Sequence, residues 1–147
     1  MITVVLITEP AQMQAALRIR EAVFVQEQHV PAQEEYDEFE DTSRHFLARI
    51  GNDPAGTARW RLTEKGAKLE RFAVLKGYRG AGVGSALVKA VLDDIHAAEN
   101  TQGCLLYMHA QITAMPLYAK FGFQPVGEMF EECDIQHYKM QWLPVQN

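Results

Sequence analysis

The stretch Tyr78–Val88, YRGAGVGSALV, decides how the chain reads. Gly80, Gly82 and Gly84 alternate through it, Arg79 stands in front, and an apolar helical pattern begins at once. Val83, Leu87, Val91 and Ile95 recur every four residues with Val88 and Leu92 beside them, which is one buried helical face. The helix is expected to run to about Glu99. A strand pattern, KLERFAVL (68–75), comes before the glycines, and a second, CLLYMHA (104–110), follows Gly103. Strand, glycine turn, helix, strand normally yields two parallel strands joined by a crossover.

Working outward, Ile2 to Ile7 reads as a strand, and Glu9-Pro10 opens a helix to about Gln26. A polar, acidic segment, EQHVPAQEEYDEFEDTSR, has no clear period. RHFLARI (44–50) and GTARWRLT (56–63) flank the turn signal GNDPAG and read as an antiparallel hairpin. AMPLYAKFG (114–122) is a short helix closed by Gly122, and FQPVGEMF with IQHYKMQWL supplies two last strands. The expectation is a single α/β (α+β) domain over residues 1–147: a mixed, mostly antiparallel sheet with one parallel βαβ pair and few helices.

With 147 residues, 48% hydrophobic and 22% charged, the chain has the length and apolar content for one packed core. Its net charge of −5 argues against a general nucleic-acid binder and suits a cationic small substrate better. Cys104 and Cys133 form no CxxC or zinc spacing and read as free core thiols in a reducing cytoplasm. MITVVLITEP is too short and lacks the basic leader of a signal peptide, and no apolar run approaches the ~20 residues of a membrane span. The expectation is a soluble cytoplasmic protein without nucleic-acid or membrane partners. Homodimers are a common default for small domains.

A turn between a strand and a helix start aims several unpaired backbone N–H groups at one spot, where the helix dipole adds positive charge. Phosphate is the natural guest. The alternative is a tight turn that only lets the helix pack on the sheet. No lysine follows the glycines as a Walker loop needs, and a dinucleotide fingerprint starting at Gly80 would put its third glycine on Ser85.

R-x-x-G-x-G, filled by Arg79, Gly82 and Gly84, resembles the pyrophosphate-binding motif of the GNAT superfamily of acyl-CoA N-acyltransferases. QITAMPLYAKFGFQPVG resembles that family's N-x-x-A-x-x-x-Y-x-k-x-G-F pattern, with Gln111 where asparagine is common. LRIREAVFVQEQHVP and GEMFEECDIQHYKM look like a small bacterial subgroup of undefined substrate; the opening is also similar to acyl-homoserine-lactone synthases, which are usually longer. The resemblance implies a GNAT fold and acetyl-CoA as cosubstrate. It implies that Phe72, Ala73 and Val74 border the pantetheine arm, and that the N–H groups of Gly80, Ala81, Gly82, Val83, Gly84 and Ser85 hold the pyrophosphate. Gln111 joins this cofactor set, and Arg79 assists at the phosphate or braces the loop.

Acetyl transfer to an amine needs a neutral nucleophile, a donor for the developing oxyanion and a proton for the departing thiolate. By the resemblance, an N–H near Phe72 to Val74 polarises the thioester, and Tyr118 protonates the thiolate unless its ring only fills the core. Glu70 is a candidate base or a strand carboxylate paired with Arg71 or Lys68. His109, whose side-chain type titrates near pH ~6.5, is a proton relay or a structural histidine; His45 and His137 are weaker candidates. No histidines share metal-ligand spacing, so no metal is expected. The acidic run holds Glu34, Glu35, Asp37, Glu38, Glu40 and Asp41. It either draws a cationic amine, with Glu34, Glu35 and Asp37 as acceptor-binding residues, or is a solvated loop. The expected function is N-acetyl transfer from acetyl-CoA to a primary amine, a small cationic amine or a peptide. The alternatives are a non-catalytic CoA-binding sensor or interaction module and an acyl-homoserine-lactone-synthase-like acyltransferase.

Overall fold

The structure, a computed structural model, describes residues 1–143. Strands β1 (Ile2–Leu6), β2 (Arg44–Ile50), β3 (Asp53–Thr63), β4 (Gly66–Val74), β5 (Leu106–Gln111), β6 (Phe123–Glu132) and β7 (Ile135–Trp142) form one sheet in the order β1-β2-β3-β4-β5-β7-β6. Every neighbouring pair is antiparallel except β4–β5, which is parallel, as a strand–helix–strand unit requires. The helices are α1 (Pro10–Arg20), α2 (Ala32–Glu35), α3 (Val83–Ala97) and α4 (Met115–Ala119).

Local chemistry sets these boundaries. Pro10 occupies the first turn of α1, and Gln12 reaches back to accept from Thr8 N (2.8 Å) and Glu9 N (3.1 Å). The helical path continues through Glu21–Glu27 with wider, π-type winding; Gln28 N donates to Val23 O, five residues back. The expected single helix to about Gln26 therefore has the right extent but two windings. The short α2 lies inside the acidic segment whose pattern had no period. The first hairpin turn is tighter than GNDPAG suggests, because Asp53–Ala55 already belong to β3.

Helix α3 covers one sheet face with Val83, Leu87, Val88, Val91, Leu92 and Ile95, packed among Phe46, Ala48, Trp60, Ala67 and Leu69. On the other face Ile19, Val23 and Phe24 pack with Val30, Leu47 and Ala73. Ala67 and Leu69 thus face α3, while Ala73, an even number of residues on, faces the opposite side. A strand keeps i, i+2 and i+4 on one face, so β4 contains an extra residue. The pairing with β3 shows it: Glu70 lies opposite Arg59 and Ala73 opposite Thr57, three steps against two. Arg71, with φ +60°, is the bulged residue. The two cysteines are free; Cys104 is half-buried, but Cys133 is exposed at the β6–β7 turn, so the core position expected for it is corrected. No helix among the described residues is long and apolar enough to cross a membrane.

Candidate active site

Strands β4 and β5 pair only at Ala67–Leu106 and Lys68–Tyr107. Beyond these positions β5 follows β7, through Tyr107–Gln111, and the two parallel strands part. The gap is a cleft of about 480 Å³ lined by Glu70–Val74 from β4 and by Met108, His109 and Gln111 from β5. The π-wound segment walls one side with Val23, Phe24 and Gln28; the start of α3 and Tyr118 of α4 close another.

At the α3 end, Gly82 sits before the first helical residue with φ +94°, a conformation that disfavours any residue with a Cβ. A Cβ there would meet only Ile2 Cδ1, at 3.7 Å. The protein itself leaves that space open, as a cradle for a close-lying anion requires. Ala86 N donates to Gly82 O at 3.0 Å, closing the first turn, so the N–H groups of Val83, Gly84 and Ser85 precede the helical ladder. Gly84 has a further role: a Cβ on it would lie 3.0 Å from Leu117 Cδ2, so this glycine also lets α4 approach α3. Arg79 donates to Val74 O (3.0 Å) and forms a two-point ion pair with Glu27 (2.8 and 3.0 Å), so it braces the loop against the helix wall. Gln111 and Gln28 exchange amide hydrogen bonds (2.8 and 3.3 Å), tying the end of β5 to the same wall.

Along β4, Leu75 N donates to Ala55 O of β3 at 2.9 Å. Backbone N–H directions alternate in a strand, which puts those of Val74 and Phe72 on the side that β5 has vacated. The Phe72 ring meets that of Tyr118 edge-on at 5.6 Å. Tyr118 is 7% exposed, and burial raises its phenol above the ordinary value, so the group stays protonated at neutral pH.

The opposite end holds His109, Glu132, Cys133, Glu34 and His137. His109 Nδ1 lies 2.7 Å from Glu132 Oε1. The hydrogen bond from His109, working against burial, keeps the Glu132 carboxyl below its usual range. An ionised carboxylate accepts, so Nδ1 donates and a neutral ring leaves Nε2 free to take a proton. Cys133 Sγ donates to Glu34 Oε2 at 2.8 Å, which with burial pushes the thiol up to about 11.

Three expectations are corrected here. Glu70 lines the cleft, but Arg59 (2.7 Å), Arg61 (2.9 Å) and Lys68 (3.3 Å) hold its carboxylate. Burial alone would raise its pKa; the three cations outweigh burial and lower it, which disfavours a role as base. Glu35 is 3% exposed and bound by Arg20 and Arg71. Asp37 is bound by Arg59 (3.0 and 2.6 Å) and Arg71 (3.2 Å) and does not line the cleft. Of the three carboxylates expected to meet an acceptor, Glu34 alone stands in the cleft without an arginine partner among the described residues. Glu132 escaped the sequence reading because nothing local marks it; only the β6–β7 hairpin brings it to β5. Among the described residues no group of three or more His, Cys, Asp or Glu is arranged to hold a metal.

A mixed sheet split at its parallel pair, with a helix start at one end of the split, is the fold of the acyl-CoA N-acyltransferases. A GNAT family acetyltransferase from Elizabethkingia anophelis, solved with acetyl-CoA bound, shares this fold with a TM-score of 0.66 at 19% identity, over 95% of this chain and 94% of that one. Escherichia coli ElaA superposes with a TM-score of 0.81 at 28% identity, over 97% of this chain and 100% of that one. The uncharacterized N-acetyltransferase YjcF of Bacillus subtilis is 42% identical over 88% of this chain and 91% of its own length. The profile of the acetyltransferase (GNAT) domain matches residues 8–144. The chain belongs to the GNAT acetyltransferase family and is an acetyltransferase.

Proposed function

We propose that the protein transfers the acetyl group of acetyl-CoA directly to a primary amine, in the cytoplasm, and that the amine is small and cationic or is a peptide amine. The observation that carries this reading is the cleft between β4 and β5, with the N–H groups of a helix start at one end and the His109–Glu132 pair at the other. The N–H groups of Gly82 to Ser85 suit the pyrophosphate of CoA, and the open space over Gly82 fits a close approach. Acetyl-CoA supplies the activated thioester; the chain supplies position and proton management.

In this reading the N–H groups of Phe72 and Val74 stabilise the oxyanion as the amine nitrogen bonds to the thioester carbon. His109 Nε2 takes the amine proton, with Glu132 holding the ring by Nδ1. The C–S bond then breaks, and Tyr118 gives its proton to the departing thiolate. Holding two substrates in line contributes much of the rate, since effective molarities of aligned reactants reach about 10⁵ M or more. Glu34 offers a protonated amine its first carboxylate.

Calorimetry with acetyl-CoA, followed by thiol release against a panel of polyamines, basic amino compounds and peptides, tests this. Binding together with amine-dependent thiol release is expected. Binding without release on any amine would make the protein a sensor on this scaffold, and no binding would remove the reading altogether.

A further inference from the structure

We propose that the acidic segment of α2 and the turn after it is a clamp that holds the β4 bulge in shape, so that Arg71, Glu35 and Asp37 are positioning residues for the thioester-polarising N–H groups. The proposal rests on the transferase reading above and gives the acidic run a task other than attracting an acceptor.

Arg71 has φ +60° inside a strand, a conformation that crowds the Cβ of a non-glycine residue against its own backbone. Such a residue persists only where its surroundings over-determine it. Here they do. The guanidinium of Arg71 meets the Glu35 carboxylate at 3.0 Å, the Glu35 carbonyl at 3.3 and 3.4 Å, and Asp37 at 3.2 Å. These partners are themselves fixed. Arg20 of α1 binds the Glu35 carboxylate, its carbonyl (3.0 Å) and Glu40 (2.8 Å). Arg59 of β3 binds Asp37, Glu40 (2.8 Å) and Glu70 (2.7 Å). Both arginine side chains are 1% exposed. Charges buried this deeply are tolerable only when paired, and each arginine here has carboxylate partners. The network ties α1, β3 and α2 to the single bulged residue.

The bulge sits one residue before Phe72. It flips the strand's facing after Leu69 and thereby sends the Phe72 and Val74 N–H groups toward the cleft. Loosening Arg71 would let β4 relax toward a regular ladder and turn those donors away.

The test compares Arg71→Ala with Arg71→Gly. Both lose the clamp, but only glycine adopts φ +60° without strain. Arg71→Ala is expected to lower kcat about tenfold or more, with the KM for acetyl-CoA within about threefold, and Arg71→Gly to recover most of that loss. Asp37→Asn should lower kcat in the parent and much less in the Arg71→Gly background. Equal impairment of the Ala and Gly variants would show that the guanidinium itself acts, and no impairment of Ala would show that the bulge needs no clamp; either result overturns the proposal. Amide NMR of Phe72 and Ala73 without substrate gives a readout independent of activity. Their signals should be displaced in Arg71→Ala and near the parent in Arg71→Gly, and no displacement in Arg71→Ala would also overturn it. An inactive parent would instead count against the transferase reading, with the NMR comparison still deciding the clamp.

Discussion

Asp37→Asn isolates one member of the ion network and gives it a pH signature. Burial alone would raise the Asp37 carboxyl. The hydrogen bonds and charge of Arg59, the Phe39 N–H (3.0 Å) and the charge of Arg71 outweigh burial and hold it at about 2, against an ordinary 3.8. A pKa depressed by folding stabilises the folded state fully above the unfolded value, and that stability is lost as pH falls from 3.8 toward about 2. The depression corresponds to about 2 kcal/mol at neutral pH. Asp37 keeps 23% of its side chain exposed, so solvent screening reduces this to about 1–2 kcal/mol. The asparagine variant should therefore unfold in urea with a midpoint stability about 1–2 kcal/mol below the parent at pH 7, a loss of about 3–6 °C in Tm. The gap should narrow below pH ~4 and reach about half its neutral value near pH ~3. Carboxylates outside the network titrate equally in both proteins and cancel from the difference. A gap that stays constant from pH 7 to pH ~3 would refute the reasoning, because Asp37 would then act through shape rather than charge.

Gly82→Ala should cost about 1–2 kcal/mol of stability from its φ of +94°, yet raise the acetyl-CoA Kd by more than tenfold, because its Cβ meets little protein but fills the ligand's space. Unchanged affinity in the folded variant, measured by calorimetry, would detach the loop from CoA. Tyr118→Phe should lower kcat by about 10²–10⁴-fold at similar acetyl-CoA affinity, since only the proton donor is lost; an equal turnover number, with chemistry rate-limiting, would make Tyr118 a core residue. Glu132→Gln should lower kcat about tenfold with both KM values kept and change the acidic limb of the pH–rate profile, because the carboxylate that orients His109 is gone. An unaltered profile would remove Glu132 from the mechanism.

The glycine-turn end of the cleft was legible in the residues because it is local. Gly82 needs its backbone conformation where it stands, and Val83 to Ile95 carry their own helical period, so a few contiguous residues suffice to write a strand–turn–helix with open N–H groups. The other end was not legible in this way. The π winding of Glu21–Glu27, the extra residue at Arg71 and the meeting of His109 with Glu132 arise between segments distant in the chain. The acidic run shows the difference most sharply. Six carboxylates in eight residues look like free charge in one dimension. Whether they stay free depends on which cations the fold brings to them, and here Arg20, Arg59 and Arg71 arrive from a helix and two strands. Coulomb attraction acts through space at a few ångströms and is blind to sequence separation. The chain's order therefore determined where charge was available, and only the tertiary structure decided that half of the run, Glu35, Asp37 and Glu40, would be paired by arginines.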